Sequence, residues 1–165
     1  MMSKENNVID ESMDIIVDMD GTLANIEERV KIAVSKKTVN DRRMNWDVFL
    51  DPEVMRNLDT PNNDVVLLTR SLAEAGHRII ITSARNERHR QVTEWQLYSW
   101  KVPYLKLHLR DNEDYRPDAI VKSEILEKIK NEGFNPTVAI DDRNQVVENW
   151  RRLGLKCWQV RLTAA

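Results

Sequence analysis

Ile15-Ile-Val-Asp-Met-Asp-Gly-Thr-Leu23 is the stretch on which the fold turns. Three β-branched apolar residues lead into two aspartates one residue apart, then Gly21 and Thr22. Residues 15–17 read as a short strand covered on both faces, the kind found in parallel sheets. Gly21 permits a sharp exit where a Cβ would obstruct the backbone. Asp18 and Asp20 then project from the carboxyl end of a strand, where open α/β sheets place their ligands. Two carboxylates so close in a low-dielectric crevice need a shared proton or a cation, and a divalent metal is the simplest solution. An ordinary turn also accommodates Asp-x-Asp-Gly, so the motif alone leaves that reading open. A calcium loop of EF-hand type does not fit. With Gly21 in the glycine place its first ligand would fall on Ile16, which has no oxygen to offer.

Outward from this strand, apolar runs and helical patterns alternate. Asn62 or Asn63 caps a helix carrying Val65, Val66, Leu68, Leu72 and Ala75, and Gly76 ends it. Arg78-Ile-Ile-Ile-Thr82 is a second buried strand, running into Ser83-Ala-Arg-Asn. A helix over about 88–100 precedes a third strand at 104–109, whose alternation places it nearer a sheet edge. Asp118 opens a helix carrying Ile120, Val121, Ile125, Leu126 and Ile129, and Gly133 closes it. Residues 137–140 form a fourth strand that runs straight into Asp141-Asp142-Arg143. A helix through Val146, Val147 and Trp150 and a fifth strand at 156–160 complete the series. Such alternation predicts an α/β fold with a five-stranded parallel sheet and right-handed crossovers. Residues 1–12 read as a flexible leader, and 13–165 as one domain. Residues 24–37 are rich in helix formers, whereas 36–46 are polar, basic and without periodicity. The span of about 24–60 therefore reads as a small cap-like excursion above the sheet edge.

Composition narrows the class. At 165 residues, 41% hydrophobic and 32% charged, the chain matches a soluble globular domain with a proper core. No apolar run approaches the roughly 18 residues needed to cross a bilayer, so no membrane partner is expected. The first residues lack the apolar core of a secretory signal. A single cysteine, Cys157, fits a reducing compartment, and a cytoplasmic location is expected. Its strand-like setting marks it as a buried core thiol rather than a nucleophile. His77, His89 and His108 are scattered, which favours core or surface roles over ligation. Net charge of −2 neither announces nor excludes a nucleic-acid binder with a local basic patch.

Polar groups recur wherever a strand finishes. Asp18 and Asp20 follow the first, Ser83 and Arg85 the second, Asp141 and Asp142 the fourth. Those ends converge on one rim of a parallel sheet, so their joint placement is far stronger evidence than any pair alone. Four carboxylates, Arg85 and a helical Lys122 suit a hard cation and an anionic substrate. Oxygen-only ligands favour magnesium over zinc.

Asp18-x-Asp20-Gly21-Thr22, Ser83, Lys122 and Asp141-Asp142 resemble the four motifs of the haloacid dehalogenase (HAD) phosphatase superfamily. Within it, Ala139-Ile-Asp-Asp-Arg-Asn-Gln-Val-Val-Glu-Asn-Trp-Arg-Arg-Leu-Gly154 and Cys157-Trp-Gln-Val160 are similar to the 3′-phosphatase domain of the bacteriophage polynucleotide kinase-phosphatase family. The resemblance implies a Rossmann-like three-layer sandwich and phosphomonoester hydrolysis through an aspartyl-phosphate. It implies that Asp18 attacks phosphorus and that Asp20 protonates the leaving oxygen and then activates water. Mg2+ would be held by the Asp18 carboxylate, the Asp20 backbone carbonyl, Asp141 and Asp142, the last directly or through water. Ser83 and Lys122 would bind phosphoryl oxygens. Arg29 and Arg85 would contact substrate, and Asp118, one helical turn before Lys122, would orient that lysine. The partner implied is a phosphorylated nucleic-acid 3′ end or a nucleotide; the oligomeric state is not legible.

Departures from the family pattern bear on substrate. With four glycines and no G-x-x-x-x-G-K-[ST], these residues carry no phosphate-cradling kinase loop, and no kinase activity is expected of them. The segment between Thr22 and Ile79 is longer than in the relative, and motif two reads Ser-Ala-Arg. Lys31, Lys36, Lys37, Arg42 and Arg43 lie in that segment with Trp46 behind, a pattern that fits backbone phosphates and a stacked base. Phosphatase action on mononucleotides or other small phosphomonoesters is the competing enzymatic reading. A non-catalytic binding module is the third, opposed by the intact Asp18, Asp20, Lys122 and Asp141.

Overall fold

The computed structural model describes residues 12–160, so residues 1–11 of the expected leader lie outside the description. Strand β1 (Asp14–Asp18) is buried along its whole length, as its uninterrupted apolar run requires. It lies between β4 (Arg78–Asn86) and β6 (Pro136–Asp141), pairing with both in parallel. Strands β5 (Lys106–Arg110) and β7 (Lys156–Gln159) take the edges, giving the order β5-β4-β1-β6-β7. The edge position expected for the third main strand is thus observed.

Period-two alternation divides the core between two faces. Ile15, Val17, Ile79 and Ile81 pack with Val65 and Val66 of α4 (Asn63–Glu74) and with Leu97 of α5 (Arg90–Ser99). On the other face Ile16, Ile80 and Ala139 meet Ile125 and Ile129 of α6 (Asp118–Asn131) and Trp150 of α7 (Asn144–Arg152). This is the expected three-layer sandwich. Cys157 belongs to the second cluster, and burial pushes its thiol up to about 11. No helix among the described residues is long and apolar enough to cross a membrane.

The excursion after β1 has more structure than its irregular sequence predicts. A two-residue strand β2 (Ala24–Asn25) pairs antiparallel with β3 (Thr60–Pro61), closing the segment at its base. Between them run α1 (Glu27–Ser35), α2 (Trp46–Phe49) and α3 (Pro52–Leu58). The helix-forming run at 24–37 is shortened at its start because Ala24 and Asn25 are taken by the β ribbon. Helices α2 and α3 are set by their caps: Asn45 accepts from Val48 N, and Asp51 accepts from Glu53 N and Val54 N ahead of Pro52. Trp46 is half exposed and stands edge-on to Phe49. The cations around it are exposed, with Lys31 paired to Glu28.

A second difference lies at the rim. The second strand does not stop at Thr82 but continues to Asn86, so Ser83 and Arg85 are strand residues. Register with β5 breaks between Thr82 and Asn86, a local irregularity that re-aims side chains at the sheet's end.

Candidate active site

The backbone turns immediately beyond β1. Leu23 N donates to Asp18 O and Ala24 N to Met19 O, folding residues 18–24 into a compact loop. Gly21 sits at φ +85°, and a Cβ built there would lie 2.3 Å from Asp142 Oδ2. Both the left-handed backbone and that approach exclude a side chain. Gly21→Ala is therefore expected to displace Asp142 and lower turnover by at least about tenfold, since overpacking of this kind forces backbone shifts. Unchanged kinetics across a magnesium titration would refute this.

Asp18, Asp141 and Asp142 meet at the carboxyl ends of β1 and β6. One carboxylate oxygen from each lies within 4.8 Å of the others. Lys122 Nζ, reaching in from α6, donates to Asp18 Oδ1 at 2.5 Å and Asp141 Oδ2 at 2.7 Å. Thr22 Oγ1 donates to Asp18 Oδ2, and Trp150 Nε1 donates to Asp141 Oδ2. Burial raises the Asp18 pKa well above the ordinary carboxylate range, with Asp141 adding to it and Lys122 opposing. Burial and then Asp141 push Asp142 up to about 6. For Lys122 burial works against the charge, but Asp141 and Asp18 outweigh it and raise its pKa. Negative charge thus remains in excess even with the lysine present. Among the described residues Asp142 Oδ1 is buried without a hydrogen-bond partner. Such an orphaned acceptor within an all-oxygen cluster fits a divalent cation of the magnesium type.

Asp20 stands outside this cluster. Its Oδ1 accepts from Arg29 Nη2 at 2.7 Å and from Arg85 Nη2 at 2.6 Å and Nε at 3.0 Å. Burial alone would raise its pKa, but the two guanidinium groups prevail and hold it well below the usual carboxylate range. Among the described residues its Oδ2 accepts no hydrogen bond, and the side chain keeps 21% exposure. Beneath lies Asp59, whose carboxylate accepts from Arg29 Nε, Arg85 Nη2 and Gln96 Nε2. Arg85 also donates to Thr93 Oγ1 and Gln96 Oε1, and Arg29 donates to Phe49 O.

These contacts show how both arginines are held. Arg29 is fully buried and Arg85 is 2% exposed, their donors turned to Asp20 and Asp59 rather than to an open mouth. Sequence order places a guanidinium near a site but not the direction in which it turns. The orienting role expected of Asp118 is corrected by its contacts. Its carboxylate accepts from Arg110 and Arg143, and Lys122 is held by Asp18 and Asp141 instead. Ser83 Oγ accepts from Arg85 N, which leaves its O–H to donate. His89 is buried, His77 Nδ1 accepts from Met13 N, and His108 stands beside Glu132.

Sequence reasoning missed Asp59, Gln96, Thr93, Trp150 as a donor, Arg110 and Arg143. Asp59 carries no motif and lies 41 residues beyond Asp18 in the chain. A buried aspartate beyond a helix gives no local signal. Trp150 was legible only as an apolar position of its helix.

The family described as the polynucleotide kinase PNKP phosphatase domain matches residues 12–164. The chain belongs to that family. It is a phosphatase of the HAD superfamily. Among solved structures, a chain of the Pnkp1/Rnl/Hen1 complex is 29% identical, with a TM-score of 0.70 over 94% of this chain and 48% of the other. A chain of the Pnkp1/Rnl/Hen1 RNA repair complex is also 29% identical, with a TM-score of 0.72 over 91% and 42%. The phosphatase thus spans about half the length of those chains or less. The HAD family enzyme bt-2542 from Bacteroides thetaiotaomicron, solved with magnesium and inorganic phosphate, shares the fold. Its TM-score is 0.59 at 14% identity, over 94% of this chain and 97% of that one.

Proposed function

We propose that this phosphatase removes 3′-phosphates from nucleic-acid ends with Mg2+ as cofactor, through an aspartyl-phosphate on Asp18. The observation that carries the chemistry is the cluster of Asp18, Asp141 and Asp142, bridged by Lys122 and ending in the orphaned Asp142 Oδ1. Membership of the PNKP phosphatase family and likeness to a chain of an RNA repair complex support the substrate class.

In this scheme an Asp18 oxygen attacks phosphorus as the ester P–O bond breaks. Thr22 and Lys122 fix the rotamer of the attacking carboxylate. Ser83 Oγ–H and Lys122 donate to phosphoryl oxygens. Asp20, in its protonated form, gives a proton to the departing 3′ oxygen; as a carboxylate it then takes one from the water that releases phosphate. Arg29 and Arg85 aim that carboxylate and favour its ionised form, which suits the second step. Bound to Asp18, Asp141, Asp142 and the Asp20 carbonyl, Mg2+ would offset the repulsion between nucleophile and phosphate.

The test is phosphate release measured in parallel from a 3′-phosphorylated oligonucleotide, the same oligonucleotide 5′-phosphorylated, 3′- and 5′-mononucleotides, and an aryl phosphate. Chelator should stop turnover and magnesium restore it. The 3′-phosphorylated oligonucleotide should give the highest kcat/KM, by at least about tenfold at low salt, and the advantage should shrink as salt rises because backbone contacts release counterions. Full activity in excess chelator would remove the metal from the scheme. A mononucleotide as the better substrate would leave a phosphatase of small phosphomonoesters.

A further inference from the structure

Trp46 is the exposed end of a stack that begins at the Asp20 carboxylate. Arg29 Nη2 donates to Asp20 Oδ1 at 2.7 Å, and the guanidinium carbon of Arg29 lies 4.5 Å from the Phe49 ring centre. The Trp46 ring then meets Phe49 edge-on, with centres 5.6 Å apart. Followed end to end, these contacts place the indole centre at most about 14 Å from Asp20 Oδ1. Arg29 is fully buried, Phe49 half-buried and Trp46 50% exposed, so the series runs from the site to the surface.

The backbone beside Trp46 is fixed beforehand. Asn45 N donates to Ala33 O and Asn45 Nδ2 to Lys36 O, which ties the loop before Trp46 to the end of α1. Asn45 Oδ1 caps α2 by accepting from Val48 N, and Leu50 N donates to Trp46 O. An aromatic with few torsions, held on a pinned helical turn, loses little freedom when a flat ligand stacks on it.

Charge selects this aromatic over its rival at the rim. Lys36, Lys37, Arg42 and Arg43 precede Trp46 in the same loop and are exposed. Asp41, the acidic residue of that loop, is turned to Thr38. Tyr115 is exposed in the loop between β5 and α6, and its hydroxyl donates to Glu113. It lines a recess with Asp111, Glu113, Asp114 and Arg116, where carboxylates outnumber cations. Such a recess repels a phosphodiester chain, whereas the loop before Trp46 attracts one.

In the proposed scheme Asp20 gives its proton to the 3′ oxygen, so the departing nucleoside lies on the Asp20 side of the phosphate. A hydrogen bond of about 3 Å to that oxygen and a stacking gap of about 3.5 Å leave at most about 7 Å of the span to Trp46. A sugar and its base fill that length.

We propose that Trp46 stacks on the base of the 3′-terminal nucleotide and so holds the nucleoside against Asp20. This rests on the nucleic-acid reading above and adds what the site recognises in the leaving group. It is the flat face of a base of any identity, since every base has a π face.

Steady-state kcat and KM would be measured on two 3′-phosphorylated oligonucleotides, one ordinary and one whose 3′-terminal residue is an abasic tetrahydrofuran. The second keeps every backbone charge and lacks one base. Acetyl phosphate serves as a substrate with neither sugar nor ring. The enzyme would be tested unchanged and as Trp46→Ala, Trp46→Leu, Trp46→Phe and Tyr115→Ala, with melting temperatures alongside. The unchanged enzyme should favour the base-bearing end by about tenfold, a size within the range for one base on an aromatic side chain. The difference should lie in KM, because stacking holds the substrate before and during reaction alike. Trp46→Ala and Trp46→Leu should bring the ratio close to one; leucine keeps an apolar cover on Phe49 but offers no π face. Trp46→Phe should retain part of the ratio, and Tyr115→Ala all of it.

An equal fall on both oligonucleotides and on acetyl phosphate in Trp46→Leu would show a packing role and overturn the proposal. So would an unaltered ratio in Trp46→Ala, or a ratio abolished in Tyr115→Ala alone. An unchanged enzyme that is active on both oligonucleotides without preference would overturn this inference and leave the proposed function standing. Activity on acetyl phosphate with none on either oligonucleotide would overturn both.

Discussion

Asp18→Asn is expected to abolish phosphate release on every substrate while the protein stays folded. An amide keeps the shape of the carboxylate and can still accept from Thr22 Oγ1, but it lacks the charge and nucleophilicity to displace an alkoxide from phosphorus. Residual turnover should lie at least about a thousandfold below that of the parent, a loss of the size seen when a covalent nucleophile is removed. The measurement pairs single-turnover phosphate release with acid-quenched trapping of labelled phosphate on the protein, which only the parent should show. The fold should survive because Lys122 keeps Asp141 as a partner, so circular dichroism and melting should stay close to the parent. Near-normal turnover by Asp18→Asn would overturn the covalent mechanism. Asp20→Asn should behave differently, with a loss of about a hundredfold or more from missing acid–base catalysis.

The second large effect lies below the site. Asp59→Ala should destabilise the protein by about 3–5 kcal/mol, the range for removing one partner of a buried ion pair. The side chain of Asp59 is fully buried between Arg29 and Arg85, and both guanidinium groups would lose their counter-charge there. For a chain of this size that corresponds to a fall in Tm on the order of 10 °C. Activity should fall as well, since the two arginines that aim Asp20 would be free to turn. Asp59→Asn should cost less, because the amide oxygen still accepts from Gln96 and one arginine. A melting temperature within about 2 °C of the parent for Asp59→Ala would show that the network contributes little to the fold.

Much of the architecture was legible before any coordinates. The run 15–17, the strand at 78–82 and the strand at 137–140 are continuous β-branched or apolar segments, and burial on both faces in a parallel sheet is what such segments require. The alternating 104–109 segment lies at the edge, as its one polar face demands. Asp18, Asp141 and Asp142 were also legible as a group, because in a parallel sheet residues that end neighbouring strands come together, whereas the place of Lys122, on α6, was implied by the family resemblance. Their meeting within one cluster follows from the pairing of β1 with β6.

What sequence did not reveal was direction and depth. Arg29 and Arg85 stand where substrate-binding arginines were expected, yet their guanidinium groups close over Asp20 and Asp59. Chain order specifies that a long side chain starts near the rim; which of several carboxylates it reaches depends on packing of α3, α5 and the loop beyond β1. Asp59 was invisible for the same reason, being a polar residue whose side-chain partners among the described residues lie 26 or more residues away. Asp118 was expected to serve Lys122 by helical spacing, which puts the two on one face. Arg110 at the end of β5 and Arg143 at the start of α7 approach it instead, and ion pairing from two sides prevails over a neighbour one turn along. Periodicity and strand-end chemistry are properties of consecutive residues, so the sequence by itself determined the strands, one edge of the sheet and the identity of the acidic cluster. The partners of each buried charge are properties of the packed molecule, and only the tertiary structure decided them.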